Sequence, residues 1–391
     1  MTFFIDNATM LCYNCYKHKS EFIRSTLMKK AIKMTGRILL ILLILLLLFT
    51  LVTFIIHRVQ TNQETTLLKE KGYYNPVSVG DYSLNVAKFG NENGDHTIVS
   101  LAGLGMGDYS IAERKMTSIL EKDNMVVFVD RAGYGFSDDT DHEMTTEYIV
   151  EDYRKALQNA GIEAPYILMP HSIGGAYANY WSSKYPDEIE AVVFVDGSQL
   201  SENMFDDEPE STVGFSDKAL VFLAKLGFSR YALRQNYYLL PDNYSEEEQR
   251  LCDALELMTK DSIAPVSESS LLSQNRQTGW DSIITNDVPK LYICASYGYQ
   301  TKEEFREYLN WFSALKTKNH LKALESAGIS DEKIQEQLEQ TEKLRQEIIY
   351  PYAEKMGNCE VVLLGGDHMI YEQKPEECGE IIKSFIDGLD S

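Results

Sequence analysis

The larger part of this 391-residue sequence predicts a doubly wound α/β fold: a mostly parallel, eight-stranded sheet flanked by helices. Two observations carry that expectation. Short apolar runs rich in β-branched residues recur at 97–102 (TIVSLA), 125–130 (MVVFVD), 166–170 (YILMP), 191–196 (AVVFVD), 289–295 (PKLYICA) and 359–364 (CEVVLL). They are apolar on both faces, as parallel strands covered on both sides must be. Segments of helical periodicity separate them, such as 145–160 and 174–185, and strand–helix alternation builds a parallel sheet.

Taken in chain order, the first element is not part of that sheet. Residues 38–56 (ILLILLILLLLFTLVTFII) carry no charge and only two threonines. Nineteen residues at a helical rise of ~1.5 Å span about 28 Å, close to the hydrocarbon thickness of a bilayer. A transmembrane helix is expected. Lys17, Lys19, Arg24, Lys29, Lys30, Lys33 and Arg37 precede it, and only His57 and Arg58 follow closely. The positive-inside rule therefore places the tail, residues 1–37, in the cytoplasm and the long C-terminal part outside. The following IIHRVQTNQ offers no small-residue cleavage site, which favours an uncleaved anchor over a signal peptide. MKKAIK at 28–33 also reads as a start, so residues 1–27 could be untranslated.

Charge divides at the same place. Residues 1–58 hold eight Lys/Arg and two Asp/Glu, the remainder 29 and 57, so a chain of net −22 splits into +6 and −28. An outer part this acidic argues against nucleic acid or anionic lipid as its partner. Of six cysteines, Cys12 and Cys15 form one CxxC with no second pair near it, short of a four-ligand zinc site. Cys294 and Cys359 fall in expected buried strands, where thiols act as small apolar fillers, and no disulfide framework is read.

Residues 57–75 read as a polar linker, and 76–391 as the α/β domain. PVSVGDYSLNVAKFG (76–90) reads as a hairpin around Gly80-Asp81, supplying two further strands. Two connections exceed a simple crossover. Residues 198–288 look helical and form a candidate cap. Residues 300–357 are the second, where Thr301 and Glu304 suggest a capping box at a helix start.

The chemistry concentrates where strands end. In YILMPHSIGGAY (166–177) a strand stops at Ser172 and Gly174-Gly175 open a helix. The pattern P-H-S-I-G differs from G-x-S-x-G at its first position only; that motif sets a nucleophile on a sharp strand-to-helix turn. Pro170 is compatible with the last strand position, where no ladder donor is needed. LAGLGMG (101–107) follows an earlier strand, so a Gly-rich turn can present a backbone N–H to a developing oxyanion. The expected donors are the N–H groups of Leu104 and Ile173. A general base should follow the serine in the chain. The histidines beyond it are His320, in polar KTKNHLK, and His368, in VVLLGGDHM directly after the last strand. His368 is the better placed. An acid should orient it. Asp196 ends the strand VVFVD on the same sheet edge, with Glu303 or Glu304 as the alternatives, because the loop after the seventh strand (CASYGYQTKEEF) has no earlier carboxylate.

With these pieces in place the chain resembles the α/β-hydrolase superfamily, in particular its membrane-anchored bacterial branch. The matching stretches are LAGLG (101–105), DRAGYGFSD (130–138), PYILMPHSIGGAYANYWSSKYPDEIEAVVFVD (165–196) and GGDHMIYEQKPEE (365–377). The resemblance implies Ser172 as nucleophile, His368 as base, Leu104 and Ile173 as oxyanion donors, and a helical cap between the sixth and seventh strands. It implies no metal or organic cofactor. Pro170 and the missing aspartate after the seventh strand depart from the usual pattern. Members with an aspartate nucleophile are disfavoured, because that position is Ser172. The expected activity is hydrolysis of an ester or related acyl substrate through an acyl-enzyme, outside the membrane. The alternatives are a peptidase of the proline-iminopeptidase kind, which needs acidic cap residues such as DDEPE (206–210) to hold an amine, and a non-catalytic tethered binding protein.

Overall fold

The computed structural model describes residues 7–202, 212–231, 241, 243–318 and 329–389. Two units emerge, Met1–Ile56 and His57–Ser391. The first is built from the helix α1 (Asn7–Glu70), whose stretch Arg24–Glu70 is long and apolar enough to cross a membrane, a property it shares with signal sequences. Its apolar side chains, Ile38 through Leu48, are exposed along their whole run.

In the second unit, most of the polar stretch 57–75 that reads as a linker is helical. The helix continues to Glu70 because its polar side chains find partners. His57 is buried, accepts from Arg230 Nε at 2.9 Å and meets Asp261 at 2.9 Å, while Arg230 also binds Glu64.

The sheet has eight strands in the order β1-β2-β4-β3-β5-β6-β7-β8. They are β1 (Pro76–Ser78), β2 (Ser83–Gly90), β3 (Thr97–Leu101), β4 (Met125–Asp130), β5 (Tyr166–Ser172), β6 (Ile189–Gly197), β7 (Lys290–Cys294) and β8 (Cys359–Leu363). The hairpin β1–β2 joins antiparallel and the rest are parallel. Central strands are buried almost throughout, β5 except at Ser172 and β6 except at Glu190, which explains their apolar sequences. Cys294 is buried as expected, whereas Cys359, on the edge strand β8, is only partly so.

One sheet face is covered by α4 (Thr146–Asn159), α5 (Gly174–Lys184), α9 (Leu272–Asp281) and α12 (Tyr350–Met356); Tyr153, Tyr177, Trp181 and Tyr352 fill that side. The other is covered by α2 (Tyr109–Ala112), α3 (Arg114–Thr117), α7 (Glu246–Lys260), α13 (Ile370–Gln373) and α14 (Pro375–Asp387), with Met116, Leu251, Ile370 and Ile382 inside. Between β6 and β7 the described residues are helical, with α6 (Phe215–Lys225) and α8 (Ala264–Ser270) completing the set. Helix α7 starts on a capping box in which Ser245 and Glu248 satisfy each other's backbone N–H groups. The second long connection holds α10 (Lys302–Lys318) and α11 (Asp331–Leu344); Glu304 N donates to Thr301 Oγ1 at the start of α10. His320 and the acidic run 206–210 lie outside the described residues.

Pro170 is not the last strand residue. It pairs in register with Leu101 of β3, and β5 runs on through Ser172. On the β6 side, Leu168 and His171 have partners while Met169 and Pro170 have none. The register keeps the same offset across this gap, from Leu168↔Val192 to His171↔Val195, so the proline, which has no N–H to donate, is accommodated without a shift of the strand.

Candidate active site

Five of the sequence-selected residues converge at the C-terminal edge of the sheet. Ser172, Ile173, Leu104 and His368 line one cavity of about 330 Å³, and Asp196 lies behind His368. Each is put there by the end of a strand, the edge at which open α/β sheets form their crevices.

Ser172 closes β5 with φ of +51°, a conformation that few non-glycine residues adopt. The turn is tight because strand, helix and neighbouring turn nearly touch. A Cβ on Gly174 would stand 2.5 Å from the Leu101 carbonyl oxygen, and one on Gly175 would stand 2.6 Å from Ser198 N. Both glycines are therefore obligatory for packing. The result aims Ser172 into the cavity beside the N-terminus of α5, where helix polarity favours negative charge.

Asp196, the last residue but one of the adjacent strand β6, also has positive φ, +43°, and is fully buried. Its Oδ2 lies 2.7 Å from His368 Nδ1 and accepts from Ser296 Oγ at 2.6 Å; its Oδ1 accepts from Ala295 N at 2.8 Å and Ser296 N at 3.1 Å. Burial pushes the carboxyl toward its neutral form, but the His368 interaction and these donors outweigh it, so its pKa lies below the usual carboxylate value. For His368, burial pulls the pKa down, while the hydrogen bond and charge of Asp196, helped by Asp367, raise it above 6.5. The imidazole side chain is 41% exposed, open to the cavity. Ser172 and His368 do not hydrogen-bond to each other in this resting arrangement, as is common in unliganded sites.

Glu303 and Glu304 sit in the first turn of α10, where Glu304 accepts from Gln300 N, and neither contacts His368. Asp367 accepts from Met369 N and shapes its own loop.

Supporting residues that sequence reasoning missed surround these groups. His171, next to the nucleophile position, points to the opposite side of β5, as period-two alternation requires. It is fully buried and its pKa is pushed down to about 3 by burial and by His368, so it is neutral. Its Nε2–H donates to the His368 carbonyl at 2.9 Å, which fixes the tautomer and tethers the histidine loop to the strand bearing Ser172. Arg131 donates to the carbonyls of Ala102 and Gly103, both at 2.7 Å, and so pins the turn that carries Leu104. Its charge is met by buried Glu268 of α8 at 2.9 Å, which also accepts from Tyr177 of α5. Arg345 donates to the carbonyls of Tyr297 and Tyr299, holding the loop whose start binds Asp196. The signal for Arg131 lay in DRAGYG, which the sequence marked without a role.

Residues 98–233 match the family model described as alpha/beta hydrolase fold. With the strand order above, that decides the matter. This is an α/β-hydrolase-fold protein. Among sequence relatives, the uncharacterized YbdG of Bacillus subtilis is 41% identical over 143 residues, covering 37% of this chain and 43% of YbdG. An uncharacterized Schizosaccharomyces pombe protein, C23C11.06c, is 28% identical over 140 residues, 36% of this chain and 24% of its own length. The chain thus spans less than half the length of either relative. Among solved structures, the haloalkane dehalogenase DatA of Agrobacterium tumefaciens C58 superposes with a TM-score of 0.51 at 16% identity, over 81% of this chain and 96% of DatA. At that identity the likeness speaks for fold alone.

Proposed function

We propose that this α/β-hydrolase is a serine hydrolase that cleaves an ester or related acyl bond through an acyl-enzyme. The observation that carries the reading is the set of half-buried Ser172, His368 and a buried, ionised Asp196, gathered at the C-terminal ends of β5, β8 and β6 with His368 hydrogen-bonded to Asp196. In this scheme Ser172 Oγ attacks the carbonyl carbon as His368 Nε2 takes its proton, while Asp196 stabilises the imidazolium without itself becoming protonated. The oxyanion forms beside the N–H groups of Leu104 and Ile173. Collapse expels the alcohol, which receives the proton from His368. Water then repeats the sequence on the acyl-enzyme and releases the acid. An aspartate nucleophile, the alternative within this fold, has no counterpart at Ser172.

Residues 38–56 would hold the enzyme in a membrane, with the basic tail cytoplasmic and the hydrolase domain outside. The test is fluorophosphonate labelling of the full chain in detergent, with Ser172→Ala beside it. Labelling that vanishes in the alanine variant is expected. A folded wild-type chain that does not label overturns the reading.

A further inference from the structure

We propose that helix α6 is a membrane-docking element, whose outward apolar face sinks into the zwitterionic lipid surface at which the span 38–56 ends; this rests on the membrane-anchor reading above. Helix α6 is seated by one side only. Val221 and Ala224 are its buried residues, and Asp217, one turn before Val221, accepts from Gly214 N at 2.8 Å at the helix start. Phe215, Phe222 and Leu223 recur at i, i+7 and i+8 and form the opposite stripe, with Leu220 beside it. All four are exposed, Phe215 by 89% and Phe222 by 62%. Single exposed apolar residues are ordinary. Four large ones on one 11-residue helix make a patch of the kind that marks an interaction surface.

The chain itself says what covers this face. Helix α6 ends in a Schellman motif: Gly227, at φ +86°, donates its N–H to the Ala224 carbonyl at 2.7 Å, and Phe228 N donates to the Leu223 carbonyl at 3.2 Å. That motif fixes the direction in which the chain leaves, and Arg230 follows three residues on. Its Nε donates to His57 Nδ1 at 2.9 Å, its Nη1 to Glu64 Oε1 at 2.9 Å and its Nη2 to Thr61 Oγ1 at 2.8 Å. His57 also meets Asp261, at the end of α7, at 2.9 Å. His57 is the residue directly after Ile56, where the apolar run stops. From His57 to Glu64 the helix advances about 10 Å at ~1.5 Å per residue. The segment that closes α6 is therefore clamped to the first turns beyond the span, within reach of the interfacial zone. The composition of the stripe suits that zone. It holds no acidic residue, and Lys218 and Lys225 border it, with stems that can lie along apolar surface while the ammonium groups stay among headgroups. Lys225 also approaches Asp139 at 3.8 Å. The acidic charge of residues 59–391 works against an anionic surface, so the attraction is apolar and independent of salt.

The test places the full chain in phosphatidylcholine vesicles whose acyl chains carry bromine, which quenches tryptophan on contact. Phe222→Trp adds a reporter to the stripe, and Phe215→Trp adds one at its other end. Glu354→Trp, at an exposed position of α12, is the control. An interfacial helix sinks its apolar face ~5–10 Å, so the emission added at 222 and at 215 is expected to be roughly halved relative to unbrominated vesicles, at low and high salt alike. The emission added at 354 is expected to stay unchanged. Added emission at both stripe positions that ignores bromine overturns the docking. A blue shift without quenching overturns it too, because a protein partner, a second copy included, would then cover the face. Washing the vesicles with alkaline carbonate separates this result from the anchor. A chain that stays with the lipid but is unquenched refutes the docking and leaves the anchor standing; a chain that washes out removes both.

Discussion

Two neighbouring strands end in the same unusual way and serve opposite ends. β5 closes on Ser172 at φ +51°, and β6 turns at Asp196, its last residue but one, at φ +43°. Each bends a polar residue out of the strand direction into a left-handed conformation that costs of order 1–3 kcal/mol for a non-glycine residue. At Ser172 the bend delivers a hydroxyl to a cavity open to substrate. At Asp196 it delivers a carboxylate to a fully buried socket with its donors already in place. In the mechanism we propose, the same backbone device therefore presents one group for reaction and sequesters another as a permanent charge. The two turns are also tied together, since Ser198 Oγ, two residues after the acid, donates to the Ser172 carbonyl at 2.8 Å.

The sharpest way to break the comparison is to empty the socket of its charge. Asp196→Asn keeps the shape but cannot accept from every donor, and is expected to cut kcat by about 10⁴-fold while the fluorophosphonate reaction slows in parallel. A loss under tenfold in steady-state kinetics would move the acid elsewhere. A smaller effect should appear in pH dependence. His368 must be neutral to accept the serine proton, so kcat/KM falls as pH drops through its pKa. Because Asp196 and Asp367 raise that pKa, the acid limb is expected with its midpoint above 6.5. The limb should shift downward in Asp196→Asn, whose side chain no longer stabilises the imidazolium. An upward shift, read from a kcat/KM profile, would contradict the assigned electrostatics. The smallest effect is expected for the link between the two turns. Ser198→Ala removes one hydrogen bond to a carbonyl and should cost about 0.5–1.5 kcal/mol in urea unfolding, with a rate change of only a few-fold. A much larger rate loss would mean that the turns move together during turnover.

The contrast also explains what the sequence made legible. Strand ends announce themselves, because an apolar β-branched run stops at a polar residue followed by glycine; both Ser172 and Asp196 stand at such places, as does the loop of His368. The alternation of strand and helix made the layered sheet readable in the same way. The place of Pro170 inside β5 was not readable, since it depends on register with the neighbouring strands. Nor was the helical course of 57–70, whose polar residues look like linker until Arg230 and Asp261, far along the chain, come to meet them. Arg131 and Arg345 were missed for that same reason. A single arginine in a helix or turn has no local signature of what it will hold.

The buried pair Arg131–Glu268 bears on how this molecule can change over generations. Arg131 belongs to the turn after β4 and Glu268 to the stretch inserted between β6 and β7. Trimming that insertion would strand a guanidinium in the interior, at about 3–5 kcal/mol, and would release the carbonyls of Ala102 and Gly103 that it aligns. The insertion is therefore not a detachable module. Changes to its outer helices leave this contact untouched, whereas loss of the segment around Glu268 would also disturb the turn that carries Leu104.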